Sequence, residues 1–140
     1  MYSEIKEFSG KTFRAVYKDM YADVYSCGGP SDAIIFEVSD DEKYAMFHSQ
    51  DCCESVWIED ICGDLSDLVG SPILVAERRY ESDDTVDMWD GIRGWTFYEI
   101  ATIKGSVTIR WCGSSNGYYS IGVSIDRFPE IYDESDYDGE

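Results

Sequence analysis

The densest collection of reactive side chains in the sequence is His48-Ser49-Gln50-Asp51-Cys52-Cys53-Glu54. A thiol beside an imidazole and a carboxylate is the raw material of a Cys–His nucleophile, in which the imidazole draws the proton from sulfur. Two features work against that chemistry. An acidic surround raises a thiol pKa where catalysis needs it lowered, and burial as a small hydrophobe is the usual fate of a free cysteine. The expectation is therefore structural: His48 and Asp51 order the turn after a strand, one cysteine enters the core, and no catalytic residue is assigned. A zinc site drawn from His48, Cys52 or Cys53, Cys62 and Cys112 lacks any C-x-x-C pair, and the spacing does not call for one. No metal and no cofactor is expected.

Two other groups have binding chemistry. Ser114-Ser115-Asn116-Gly117 is a Gly-containing turn whose backbone N–H groups can cradle an anion, with Arg110 to add charge and Tyr118 and Tyr119 nearby. Trp95, Trp111, Tyr118 and Tyr119 can stack a nucleobase, although aromatics alternating along strands more often pack a core. A small-ligand site, such as one for a nucleotide, would use Arg110, Ser115, Asn116, Gly117, Tyr118 and Tyr119. The second group is acidic. Asp83, Asp84, Asp87 and Asp90 flank Met88 and Trp89, and Asp133, Glu134, Asp136 and Asp138 crowd the end of the chain.

The elements that must position these residues read as strands. Residues 12–18, 33–38, 43–48, 55–59 and 73–78 are short β-branched or aromatic runs bounded by turn residues. Ser39-Asp40-Asp41-Glu42 joins the second and third as an antiparallel hairpin. Residues 95–103, 106–112 and 118–125 follow. In the second of these Val107, Ile109 and Trp111 alternate with Thr108, Arg110 and Cys112, and Tyr119, Ile121, Val123 and Ile125 alternate with small residues in the third. That period of two predicts a three-stranded meander with one face in the core. One short helix is expected over 64–70, capped by Asp64 and stopped by Gly70. Residues 81–94 show no period and are read as a long acidic loop, an arrangement that is often functional. The expected fold is mainly β (α+β): a single antiparallel β domain with one short helix over 1–128, followed by an acidic, disordered tail over 129–140.

The 140 residues carry 29 Asp and Glu against 11 Lys and Arg, a formal charge of −18. That charge argues against a broad basic face for DNA or RNA and against adsorption to an anionic membrane. No apolar run approaches the roughly 20 residues of a membrane span, and the N-terminus lacks the apolar core of a signal peptide. A cytoplasmic protein is expected. In that setting five cysteines, an odd number, argue against a disulfide framework.

Two stretches taken together are more specific: His48 to Val56 with Ile58-Glu59-Asp60-Ile61 and Gly63-Asp64-Leu65, and Trp95-Thr96-Phe97-Tyr98 with Thr108-Ile109-Arg110-Trp111 and Ser115-Asn116-Gly117-Tyr118-Tyr119-Ser120. This combination resembles a family of small uncharacterised proteins encoded mainly by tailed bacteriophages, catalogued as a domain of unknown function, over about residues 33–125. The resemblance implies a phage accessory protein in the infected bacterial cytoplasm and brings no catalytic residue with it. With the charge it leads to an expectation: a non-enzymatic inhibitor of a host nucleic-acid-handling or defence protein with a basic surface. Asp83, Asp84, Asp87, Asp90 and the tail acids would mimic DNA phosphates, and Met88 with Trp89 would be the desolvated anchor. The alternatives are a nucleotide-sequestering protein and a thiol enzyme or metal protein built on His48 and the cysteines.

Overall fold

A computed structural model of the chain describes residues 2–83, 91–117 and 119–129. Its strands are β1 (Tyr2–Ser3), β2 (Ala15–Tyr21), β3 (Ser31–Ser39), β4 (Glu42–Phe47), β5 (Ser55–Cys62), β6 (Val75–Asp83), β7 (Ile92–Thr102), β8 (Gly105–Ser115) and β9 (Ser124–Phe128). They form two antiparallel sheets, one in the order β1-β9-β4-β3-β2 and the other β5-β8-β7-β6. The two sheets share one core. Phe36, Met46 and Ile125 from the first meet Ile58, Ile100, Ile109 and Trp111 from the second. The Trp111 indole N–H crosses the interface to the Met46 sulfur at 3.4 Å.

The hairpin expected around 39–42 is β3–β4, with Ile34 opposite Met46 and Phe36 opposite Tyr44. Residue after residue is apolar here because both faces of this part of the sheet are covered. Ile34, Phe36, Tyr44 and Met46 face the second sheet, while Ala33, Ile35, Ala45 and Phe47 form a smaller cluster on the other side with Tyr21 and Phe128. At one end of the core Phe8, Phe13, Phe36 and Tyr44 pack ring on ring, with Phe8 4.9 Å from Phe36 and 5.0 Å from Phe13. Phe8 arrives there on a 3-10 turn, Ile5–Phe8, that has no hydrophobic period to announce it.

Four expectations are corrected. The helix over 64–70 is one 3-10 turn, Leu65–Leu68. Asp64 does cap it, accepting the Ser66 N–H at 2.9 Å, but Val69 is already extended and Gly70 turns at φ 84°. The two ends of the loop read over 81–94 are strand, 81–83 closing β6 and 92–94 opening β7, while 84–90 lie outside the described residues. Glu81 pairs with Trp95, Ser82 with Gly94 and Asp83 with Arg93. The alternation is hidden because Gly94 stands where an inward side chain would be; a Cβ there would run into the Tyr80 hydroxyl. The meander is also wrong. β8 is already paired on both sides, by β5 and β7, so the chain after Ser115 has no edge there to join. It crosses to the other sheet, where β9 pairs with β4 and β1. The strand read at 12–18 starts at Ala15 instead, Thr12 and Phe13 making single bridges to Pro72 and Val69.

The turn into the 3-10 segment depends on Gly63. Its φ is 113°, and a Cβ would lie 2.6 Å from the Ser106 carbonyl oxygen and 3.2 Å from the Val107 backbone. Neither obstacle is a flexible side chain. Gly63→Ala should cost about 2 kcal/mol, read as a lower urea midpoint with an unchanged slope.

Candidate functional site

His48 follows β4 and is buried, as is Glu54 at the start of the segment leading to β5. The His48 Nδ1 lies 2.7 Å from the Gly122 carbonyl oxygen and its Nε2 lies 2.7 Å from Glu54 Oε2. A carbonyl can only accept. The Glu54 carboxylate already accepts the N–H groups of Asp51 at 2.8 Å and Cys52 at 3.0 Å. The arrangement is satisfied by an imidazolium that donates from both nitrogens. Burial pushes the Glu54 carboxyl upward, but the His48 ring and the Asp51 and Cys52 amides outweigh it and hold the pKa at about 2. The Gln50 side-chain amide donates to the Glu54 carbonyl at 2.7 Å, and the Gly28 N–H donates to the Gln50 carbonyl at 3.0 Å. One buried ion pair thus ties together three segments of chain.

This geometry decides the fate of the proposed nucleophile. With both ring nitrogens committed, His48 has no lone pair with which to draw a proton from Cys52 or Cys53, so the Cys–His pair does not assemble. Asp51 is exposed and contributes only its N–H; the acid that orders the turn is Glu54. The expectation that one cysteine of the pair enters the core is corrected. Cys52 and Cys53 are both exposed, in a bend rather than a strand, with their sulfur atoms side by side. Of the other cysteines only Cys112 is buried, and burial pushes its thiol pKa up, with the Glu59 carboxylate adding to the rise. Among the described residues no three His, Cys, Asp or Glu side chains converge as a cation site.

The alternative ligand site is not brought together. Arg110 and Ser115 lie on one strand, five residues apart, or about 16 Å at the rise of a strand. Arg110 looks outward and Ser115 is buried. Asn116 is exposed, Gly117 turns at φ 95° and donates its N–H to the Ser115 hydroxyl at 3.1 Å, and Tyr119 is half-buried. Tyr118 lies outside the described residues. So do Asp84, Asp87, Met88, Trp89, Asp90, Asp133, Glu134, Asp136 and Asp138. Asp83 is described, as the last residue of β6. Trp111 is core, 1% exposed, as its alternation with Arg110 and Cys112 requires.

The surface that does assemble is the outward face of the sheet β5-β8-β7-β6. Along β7, Thr96, Tyr98 and Ile100 are buried toward the core, so Arg93, Trp95, Phe97 and Glu99 point away. Cross-strand register turns these into rows. Trp57, Cys112, Trp95 and Glu81 lie side by side on successive strands, and next to them Asp60, Arg110, Phe97 and Arg79. Trp57 is 37% exposed; Trp95 and Phe97 are half-buried. The Arg79 guanidinium stacks over the Phe97 ring, 4.4 Å from its centre. Arg110 Nε stands 2.7 Å from Glu59 Oε1, an ion pair outside hydrogen-bond alignment. Glu59, Asp60, Glu77, Glu81, Asp83 and Glu99 surround the aromatics. Sequence reasoning singled out Trp95, Arg110 and Asp83 separately but missed Trp57, Phe97 and Arg79. The signal was present in the alternation of 93–99, but only strand order shows which residues of three other strands lie beside them.

β5, one edge of this sheet, belongs to the longest stretch without a Lys or Arg, from Tyr44 through Glu77. Its backbone edge is partly closed, since the Ile58 N–H is held by the Asp32 carboxylate at 3.2 Å and a bulge falls between Ile58 and Asp60. Both are devices that discourage pairing with another strand. No helix among the described residues is long and apolar enough to cross a membrane.

No curated protein and no solved structure matches this chain. The model of one family, a domain of unknown function, does match it, over residues 6–125, which takes in every strand of the fold but β1 and the end of β9, and the chain therefore belongs to the DUF7448 family.

Proposed function

We propose that this chain is a non-catalytic binding protein, a bacteriophage accessory protein that acts in the cytoplasm of the infected host. It docks the outward face of β5-β8-β7-β6 on a basic, nucleic-acid-handling protein and blocks it. The observation that carries this reading is the composition of that face. Trp and Arg are the side chains that dominate binding energy at protein interfaces when they sit at the centre of a contact. Here Trp57, Trp95, Phe97, Arg79 and Arg110 adjoin one another on a sheet surface. Their rim is acidic, six carboxylates (Glu59, Asp60, Glu77, Glu81, Asp83, Glu99) against the three cations Arg79, Arg93 and Arg110. A rim of that sign steers a basic partner and repels nucleic acid itself. The phage origin rests on the resemblance of the two signature stretches, and the inhibitory role on the net charge of −18.

Asp83, which ends β6 opposite Arg93, belongs to this rim. The aromatic anchor moves from Met88 and Trp89 to Trp57 and Trp95.

The test is capture from host lysate by the tagged chain and by a Trp57→Ala/Trp95→Ala double variant. A basic DNA- or RNA-binding protein should be retained by the first, released by salt, and lost from the second. With the purified partner the double variant should bind at least 100-fold more weakly, about 2.7 kcal/mol. Glu59→Gln with Asp60→Asn should mainly slow association at low salt. Retention of the same partner by the Trp double variant would remove this face from the interface.

A further inference from the structure

At the open side of the sandwich, where β6 ends one sheet and β1 and β9 end the other, the two sheets do not close. A cleft of about 670 Å³ runs between them, within the range of roughly 300–1,000 Å³ typical of small-molecule sites. Its floor is apolar and already part of the core: Ile5, Tyr98, Val123 and Ile125. One wall carries Arg78. Register places Arg78 directly opposite Tyr98, on the inward side of β6, whereas Glu77 and Arg79 on either side alternate to the outer face, Glu77 still touching the edge of the cleft. In a chain where acids outnumber bases 29 to 11, Arg78 makes no ion pair with a carboxylate among the described residues. The other nearby cation, Lys6, is taken by Glu4 at 3.0 Å. The Tyr98 hydroxyl is buried within hydrogen-bond reach of the Arg78 guanidinium and makes a further, long hydrogen bond of 3.4 Å to the Val123 carbonyl.

We propose that this cleft binds a small amphipathic monoanion, a flat or short apolar body carrying one carboxylate or sulfonate. The body lies on Ile5, Tyr98, Val123 and Ile125, and the anionic group meets the Arg78 guanidinium at the rim. An apolar floor with one convergent cation selects such a molecule on two grounds. A fully apolar ligand would leave Arg78 desolvated with only the neutral Tyr98 hydroxyl for a partner, and a polyanion would be repelled by the rest of the surface. Arg78 is the right residue for the task, because its planar fork matches a carboxylate in two places at once. The site lies on the opposite side of β6 from the aromatic face and does not depend on that face's role.

The test uses the full chain and the fluorescent probe 8-anilinonaphthalene-1-sulfonate, which has both an aromatic body and a single sulfonate. It should bind saturably at one site with Kd on the order of 10 µM. Arg78→Gln, on the exposed strand edge, should weaken binding about tenfold while leaving the thermal midpoint unchanged. Ala76→Trp, which fills the cleft, should abolish it; its folding is checked by circular dichroism, and Arg78→Gln stands alone if it does not fold. Decanoate should displace the probe and decylammonium should not. Trp57→Ala should leave probe binding as it is. Absence of saturable binding, binding indifferent to Arg78, or displacement by the cation as readily as by the anion would each overturn the proposal. So would a parent that binds no probe while Arg78→Val dimerises, since Arg78 would then serve to guard the β6 edge against strand pairing.

Discussion

Glu54→Gln is expected to destabilise the protein by about 3–5 kcal/mol, among the largest effects of any single polar substitution in the chain. The cost follows from removing one member of a buried ion pair while the other stays. The side chains of His48 and Glu54 are 3% and 0% exposed. Gln would put an NH2 group against donors on one side or the other, facing either the His48 ring and the Asp51 amide or the Cys52 amide. The effect has a pH signature. The Glu54 carboxyl is held at about 2 against an ordinary 4.5, so the unfolded chain binds its proton more readily than the folded one. Its contribution is therefore fully present above about pH 4.5 and fades as pH falls through 2. A shift of that size corresponds to about 3 kcal/mol. Urea unfolding from pH 7 down to pH 2 should show the parent and Glu54→Gln far apart at neutrality and converging at the acid end. A constant gap across that range would mean that the carboxylate is not the charged partner the geometry requires.

Trp111→Ala is expected to cost about 3–5 kcal/mol, and Trp95→Ala about 1 kcal/mol. The two residues are close on adjacent strands, with Thr96 opposite Trp111 and Trp95 opposite Cys112, yet they face opposite sides of the sheet. Trp111 is 1% exposed and bridges to Met46 of the other sheet, so its truncation leaves a cavity bounded by both sheets. Trp95 is only half-buried and lies on the proposed docking face. Equilibrium urea unfolding separates them. Equal losses would show that the outer face is itself a packed interior and so is not free to meet a partner. A large loss at Trp111 with a small one at Trp95, combined with loss of partner capture by Trp57→Ala/Trp95→Ala, is the pattern of a surface kept for binding at little cost to the fold.

What could be read along the chain was local. The β3–β4 hairpin followed from two apolar runs separated by a short polar turn, and the Asp64 cap followed from one side chain and the amide two residues on. The inward face of β8 followed from the alternation of Val107, Ile109 and Trp111, and the core position of Trp111 came with it. Membership of a family of unknown function rests on the match over residues 6–125, which reaches further toward the N-terminus than the span of about 33–125 read from the sequence.

Strand order was not local, and it overturned the readings that depended on it. The alternation in 118–125 is real, since Val123 and Ile125 are core residues, but alternation reports which face is buried and not which strand is the neighbour. That choice went to β4 and β1 because β5 and β7 had already filled both edges of β8. For the same reason the outer rows of Trp57, Trp95, Phe97, Arg79 and Arg110 have no counterpart in sequence spacing; they come from four strands and exist only at one register. The His48–Glu54 pair shows the limit most sharply. Sequence supplied an imidazole, thiols and carboxylates within seven residues, enough to imagine a nucleophile. Tertiary structure brought the Gly122 carbonyl, 74 residues away, to the second ring nitrogen. Composition and periodicity determined that this is an acidic, antiparallel β protein with a buried Trp111. Only the folded chain, by choosing hydrogen-bond partners across long separations, decided that His48 holds the structure together rather than activating sulfur.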